Sequence, residues 1–208
     1  MAPLTLAVAM ATYNGEQFLA EQLESILSQT RLPDEIVMSD DQSSDHTKEL
    51  AKKILAGPCK KSGITLRVLS HKKPSGVAAN FQYAASKTTA EVIALADQDD
   101  IWRPDKLETL AAHFEALQEL LMVHSDADLV DASGRGLGMT VLDSLRTTSG
   151  ERRHLVTGHG IRALARRNLV TGQTALLRRE LLDLAGPIPH GFVHDEWWAL
   201  VAASKDAL

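Results

Sequence analysis

The chain has 208 residues, with 22 Lys and Arg against 27 Asp and Glu, and a formal net charge of −5 when His is neutral. At 44% hydrophobic and 24% charged residues it has the makeup of a soluble globular domain, and its mild acidity offers no overall attraction to nucleic acid or to an anionic membrane. A single cysteine, Cys59, excludes an intrachain disulfide framework, points to a reducing compartment and reads as an incidental loop thiol.

The apolar run at 4–11 lacks a basic flank and a small-residue cleavage site, so it reads as a buried strand and not as a signal peptide. No stretch approaches the roughly 20 apolar residues of a membrane-spanning helix, so the expected setting is the cytoplasm, at most with contact at a membrane surface. After that strand, helices over 16–29, 44–56, 75–87 and 104–120 alternate with strands over 35–39, 64–69 and 91–96. In the first helix Phe18, Leu19, Leu23, Ile26 and Leu27 form the apolar stripe, leaving Glu16, Glu21, Gln22 and Glu24 for solvent. Pro104 suits the first turn of its helix. The alternation predicts right-handed βαβ crossovers, a mostly parallel sheet and ligands beyond the carboxyl ends of its strands.

Beyond Leu121 the pattern loosens. A strand is predicted over 122–130, a loop over 132–150, then an Arg-rich stretch, a strand near 169–177, a helix from Arg178 and a last helix from near Asp195. One domain results, with a nucleotide-binding half over about 1–121 and a more variable half over about 122–208.

Three acidic groups fall after predicted strands: Asp40 and Asp41; Asp97, Asp99 and Asp100; Asp126 and Asp128. The first two groups share one rim of the sheet. Carboxylates crowded on one rim ask for a cation or for hydrogen-bond donors, and Mg²⁺ or Mn²⁺ with a phosphate-bearing substrate meets that need. The D-x-D spacing of Asp97-Gln98-Asp99 also describes a solvated turn before the helix at Pro104. No G-x-x-x-x-G-K-[ST] loop and no G-x-G-x-x-G after the first strand is present, and the tract of Gly134, Gly136 and Gly138 follows the wrong strand at the wrong spacing. His190 and His194 stand four apart, but Pro189 and Gly191 argue against one helix carrying both to a metal.

Six strings, ATYNGEQFLAEQLESILSQT, DEIVMSDDQSSDHT, GVAANFQYA, ALADQDDIWRPDKL, VTGQTALLRREL and HDEWWALVA, together resemble family 2 glycosyltransferases of the GT-A fold, with rhamnosyltransferase-like bacterial members the closest look. The resemblance implies a Rossmann-like, mostly parallel twisted sheet flanked by helices. It implies that Thr12, Tyr13 and Asn14 cup the nucleotide together with Asp40, Asp41, Asn80 and Asp97. It makes Asp97 and Asp99 the metal-binding pair, Asp195 the catalytic base of an inverting transfer, and Gly172, Gln173, Thr174, Trp197 and Trp198 neighbours of sugar and acceptor. The implied partners are a UDP- or dTDP-linked sugar and a saccharide or lipid-linked acceptor in cell-surface polysaccharide synthesis.

Helix capping is the plain alternative for Asp195, and core packing for the tryptophan pair. At the predicted helix N-terminus, the backbone N–H groups should favour the charged form of Asp195. The stretch from Arg146 to Arg167 carries six Arg against Glu151, open to two readings: a counter-charge for diphosphate, acceptor or anionic lipid, or a solvated surface. No Q-x-x-R-W motif of processive members occurs, and thirteen residues follow Asp195, fewer than the resemblance leads one to expect of a full acceptor side. Two other readings are a catalytically silent nucleotide-binding module and a sugar-phosphate nucleotidyltransferase, although the Gly-rich basic loop of the latter is missing.

Overall fold

The structure is a computed structural model and describes residues 4–208. Its first half follows the expected alternation: β1 (Leu6–Thr12), α1 (Leu19–Leu27), β2 (Glu35–Asp40), α2 (Thr47–Ser62), β3 (Thr65–Ser70), α3 (Val77–Ser86), β4 (Val92–Ala96) and α4 (Lys106–Ala116). The second half adds β5 (Met122–His124), β6 (Asp128–Val130), β7 (Gly136–Thr140), α5 (Val141–Ser144), α6 (Ser149–Val156) and α7 (Gly160–Leu164). A 3₁₀ turn over Gly172–Thr174 then leads into β8 (Ala175–Arg178), α8 (Glu180–Ala185) and α9 (His194–Ala203).

Six strands form one sheet in the order β3-β2-β1-β4-β8-β5, and β6 pairs with β7 apart from it. β1 to β4 are mutually parallel, whereas β8 runs antiparallel between β4 and β5. All seven residues of β1 are buried, which is why it reads as an unbroken apolar run: a central parallel strand is covered on both faces. Its alternation divides the core. Ala7 and Ala9 face a layer with Phe81, Ile93, Leu95, Trp198 and Ala202, while Leu6, Val8 and Met10 face Leu19, Leu23, Ile26, Met38, Leu55 and Phe114.

Several expectations are corrected by tertiary contacts. Gln22 is buried, not solvated, because the segment before α4 lies across α1: the Trp102 N–H donates to Ser25 Oγ at 3.0 Å, and Ser25 donates to Gln22 Oε1 at 3.1 Å. Pro104 stands in the turn ahead of α4, which the chain enters at Asp105 without a side-chain cap. α4 stops at Ala116 and not at 120, where the Arg178 guanidinium donates to Phe114 O at 2.8 Å and Leu120 O at 2.9 Å. α2 runs on past Ala56 through Pro58, which sits on the exposed side, and ends at Gly63 with φ +74°. This carries Cys59 out of the expected loop and into the core, where burial pushes its thiol up.

The single strand expected over 122–130 is two. Asp126 turns the chain between them, accepting from the N–H groups of Ala127 (2.9 Å) and Leu142 (3.1 Å). The expected loop over 132–150 contains β7 and α5, the latter closed by a capping box between Thr140 and Asp143. Of the strand expected near 169–177, residues from Ala175 alone are extended in the sheet, since Gly172–Thr174 winds into the 3₁₀ turn.

Candidate active site

The strand order reverses between β1 and β4, and the crevice opens beyond their carboxyl ends. In register, Thr12 lies opposite Asp40 and Met10 opposite Ala96, so the turns that follow β1, β2 and β4 meet at one rim.

The turn after β1 is tied down from β2. Asp40 is fully buried, accepts from the hydroxyls of Thr12 (3.2 Å) and Ser43 and from the Ser43 N–H (3.0 Å), and has Lys48 Nζ at 3.8 Å. Its carboxylate therefore lies beneath the rim. Asn14, at φ +48°, accepts from the Ser44 N–H at 2.9 Å while its own N–H donates to Ser43 Oγ at 2.9 Å. Asp41 accepts from Gly76 N–H (2.8 Å), Ser75 N–H (2.8 Å) and Ser75 Oγ (2.9 Å), fixing the entry to α3. Burial works to raise its carboxyl, but the hydrogen bonds from Gly76 and Ser75 outweigh it and hold it below the usual range. From α3, Asn80 donates to Thr12 O at 3.2 Å, and its Oδ1 is buried without a partner. Tyr13, by contrast, is 59% exposed at the mouth of the crevice.

After β4, Asp97, Asp99 and Asp100 crowd into one turn. Burial first, then the charges of Asp100, Asp99 and Asp195, push Asp97 up to about 7; burial and Asp99 push Asp100 up to about 6. Asp100 Oδ2 is buried with no hydrogen-bond partner. The nearest internal cation is Lys106 at the start of α4, itself held down by burial against the pull of Asp100 and Asp97. Its Nζ lies 3.7 Å from the centre of the Trp102 ring and donates to Gln173 O, which joins this turn to the 3₁₀ segment.

Asp195 closes the far side from the first turn of α9. It accepts from Glu196 N–H (2.7 Å), Gly172 N–H (2.9 Å) and Asn168 Nδ2 (3.3 Å). Despite these donors, burial raises its carboxyl above the usual range, so the helix terminus does not decide its charge as expected from position alone. His194 beside it is also buried, stacks on Phe81 at 3.9 Å between ring centres, and is pushed down to about 3 by burial. A Cβ on Gly172 would lie 2.6 Å from His194 Nε2, so only glycine lets this backbone N–H reach Asp195.

The structure thus brings Asp97, Asp99, Asp100, Gln173 and Asp195 around one crevice. Trp198 is fully buried in the core, and Trp197, half-buried, packs against that core and donates to Ala185 O at 3.0 Å. Thr174 is spent on Thr171 O at 2.8 Å. Four contributors were missed in the sequence, namely Gln98, Lys106, Asn168 and Gly15. The lysine opens the helix that follows the acidic cluster, a placement that could have flagged it; the other three carry no signal outside their contacts.

The model of the family described as glycosyl transferase family 2 matches residues 7–183. The chain belongs to that family. It is 37% identical over 103 residues to the dTDP-rhamnosyl transferase RfbG of Shigella flexneri, covering 48% of this chain and 34% of that protein. Among solved structures it resembles S. aureus TarS 1-349 in complex with UDP-GlcNAc (TM-score 0.71, 23% identity, 97% of this chain and 54% of that one). It also resembles the mannosyltransferase PcManGT from Pyrobaculum calidifontis in complex with GDP-Man and Mn²⁺ (TM-score 0.67, 20% identity, 95% and 51%). The fold is GT-A. The chain spans about a third of that curated relative and about half of those structures.

In this family 2 chain the Arg-rich stretch is partly internal structure. Arg152 binds Asp143 at 2.7 Å and Asp126 at 3.4 Å, and Arg167 binds Glu151 at 3.0 Å, while Arg162 and Arg166 line a surface cavity of about 380 Å³ with His154. Among the described residues, no helix is long and apolar enough to cross a membrane.

Proposed function

We propose that this chain carries the donor-binding and catalytic core of an inverting, divalent-metal-dependent glycosyltransferase. It would move one sugar from a UDP- or dTDP-linked donor, rhamnose among the candidates, to a saccharide or lipid-linked acceptor in cell-surface polysaccharide assembly. The observation that carries this reading is the pairing of two unlike carboxylate environments across one crevice. Asp97, Asp99 and Asp100 repel one another and leave a buried oxygen unpartnered, whereas Asp195, on another element though close enough to add to the repulsion on Asp97, is held by three N–H donors.

The residues fit a hard cation. Asp97, Asp99 and Asp100 crowd one turn and leave Asp100 Oδ2 buried without a partner, and Mg²⁺ or Mn²⁺ takes one or two carboxylates and fills its other positions from diphosphate and water. Asp97 and Asp99 would hold the ion, with Asp100 behind them, and the ion when bound would neutralise charge on the departing diphosphate. Asp195 would take the proton of the acceptor hydroxyl as its oxygen bonds the anomeric carbon from the face opposite the breaking carbon–oxygen bond. A raised carboxyl suits that task, because a base must be strong enough to accept a proton and still ionised at working pH. Tyr13 and Asp41 border the place where the base of the nucleotide would lie, and Asp40, Asn14 and Asn80 shape the turn beneath it. The setting in this reading is the cytoplasm, at the inner face of the membrane where a lipid-linked acceptor presents its head group.

Titration of UDP, dTDP and GDP with and without Mn²⁺ or Mg²⁺, in wild type and Asp99→Ala, tests the reading. Metal-linked binding that disappears in Asp99→Ala is expected. A wild-type chain that binds no nucleoside diphosphate under any of these conditions sinks it.

A further inference from the structure

Gln98 stands between the two outer carboxylates of the Asp97-Gln98-Asp99 turn, yet its side chain points the other way. Its carboxamide meets the backbone of Tyr13 at both ends: Tyr13 N–H donates to Oε1 at 2.8 Å, and Nε2 donates to Tyr13 O at 3.1 Å. One side chain thereby replaces the rung of backbone hydrogen bonds that β1 and β4 make up to Met10 and Ala96 but cannot extend once both strands break into turns. The fit is close. A Cβ on Gly15 would lie 2.3 Å from Gln98 Oε1 and 2.5 Å from its Cδ, and the φ of Gly15 is not in the left-handed region, so this glycine makes room for the amide and not for a backbone twist. Gly15 N–H is meanwhile fixed to Thr47 Oγ1 at 2.8 Å, which anchors the same turn to α2.

We propose that Gln98 is a positioning residue that locks the turn after β1 to the carboxylate turn after β4, so that nucleotide and cation meet in a preset geometry. This rests on the donor-site reading given above. Without the clamp the turn after β1 keeps its ties to Ser43 and Ser44, and the carboxylate turn stays anchored at its ends by β4 and the start of α4. What is lost is their alignment, and a ligand that spans both must then order them on binding.

The test uses UDP affinity by calorimetry with and without Mn²⁺, together with thermal melting, for wild type, Gln98→Ala, Gly15→Ala and the double variant. The added methyl of Gly15→Ala displaces the flexible end of Gln98, so both single variants should melt close to wild type. Each should lose about tenfold or more in UDP affinity with Mn²⁺ present, as expected for two hydrogen bonds that align a site, but less than about threefold without it. The double variant should bind as Gln98→Ala does, because the methyl then has nothing to displace. Equal losses with and without metal, unchanged affinity in Gln98→Ala, or additive losses in the double variant would each overturn the proposal while leaving the donor-site reading intact. Absence of UDP binding by the wild type would instead remove that reading, and the clamp with it.

Discussion

Replacing Asp195 by Asn separates the chemistry of this site from its architecture. The carboxylate accepts from three N–H donors, so an isosteric amide turns its NH₂ toward at least one of them. Keeping Oδ1 on Glu196 N–H (2.7 Å) and Asn168 Nδ2 (3.3 Å) points the new NH₂ at Gly172 N–H, where the acceptor had been 2.9 Å away. One buried donor then lacks a partner, at a cost of about 1–3 kcal/mol, or a drop of roughly 2–10 °C in Tm for a chain of this size. Loss of the base is larger. A factor of about 10²–10⁴ in turnover corresponds to roughly 3–5 kcal/mol of barrier, beyond what the stability change can explain at a temperature where the variant stays folded. Hydrolysis of a UDP- or dTDP-sugar gives a readout independent of acceptor, and calorimetry reports donor affinity. The expected outcome is turnover lost with donor affinity within about threefold of wild type. In the wild type, activity should rise with pH through an acid limb lying above the ordinary aspartate range, since the burial-raised carboxyl must be ionised to act. A variant that keeps most of its turnover, or one that loses donor affinity in proportion to rate, would falsify the assignment of Asp195 as base.

Because Asp97 is pushed up to about 7, binding of Mn²⁺ with UDP should release protons and weaken by up to about tenfold per pH unit below that value; calorimetry in buffers of different ionisation enthalpy checks this, and affinity that is flat from pH 6 to 8 refutes it. The stability contribution of the same group is fully present below its unfolded pKa of 3.8 and is lost as pH rises through about 7. Asp97→Asn should therefore stabilise the metal-free chain at pH 8, by about 1–2 kcal/mol once the lost attraction to Lys106 is counted, while removing metal-linked binding. Gly172→Ala should cost about 1–3 kcal/mol by melting and lower turnover as well, since the methyl drives His194 and the Gly172 N–H apart from Asp195; full activity would refute the role given to that N–H. Cys59 should resist thiol reagents in the native state and react on unfolding, whereas rapid labelling of folded protein would contradict its place in the core.

The elements from β1 to α4 were legible because their apolar runs and stripes are dictated by local burial, and the positions of Asp41, Asp97 and Asp99 after those strands follow from counting residues. Side-chain direction was not legible. Asp40 and Asp41 are adjacent in sequence, yet one is sealed beneath the rim by Thr12 and Ser43 and the other is turned to the start of α3, a difference decided by partners from distant segments. Of the tryptophan pair, for which both a ligand and core packing were open, Trp198 is buried and Trp197 half-buried because α9 lies against α3 and α8. The second half resisted for a related reason: its turns are made by Asp126, Asp143 and Asn168 binding backbone groups, which leaves no periodicity to read.

The antiparallel strand β8 has a consequence for how the chain is made. It seals the edge of β4, pairing Val92 with Arg178 and Ala94 with Leu176, so during synthesis that apolar edge stays open until Arg178 has left the ribosome. The same pairing seats the segment from Thr171 to Thr174 beside the acidic turn, and with it the Gly172 N–H that orients Asp195. Closing the sheet thus sets the Gly172 N–H in place first, and the crevice is complete only when α9 has followed and carried Asp195 to it.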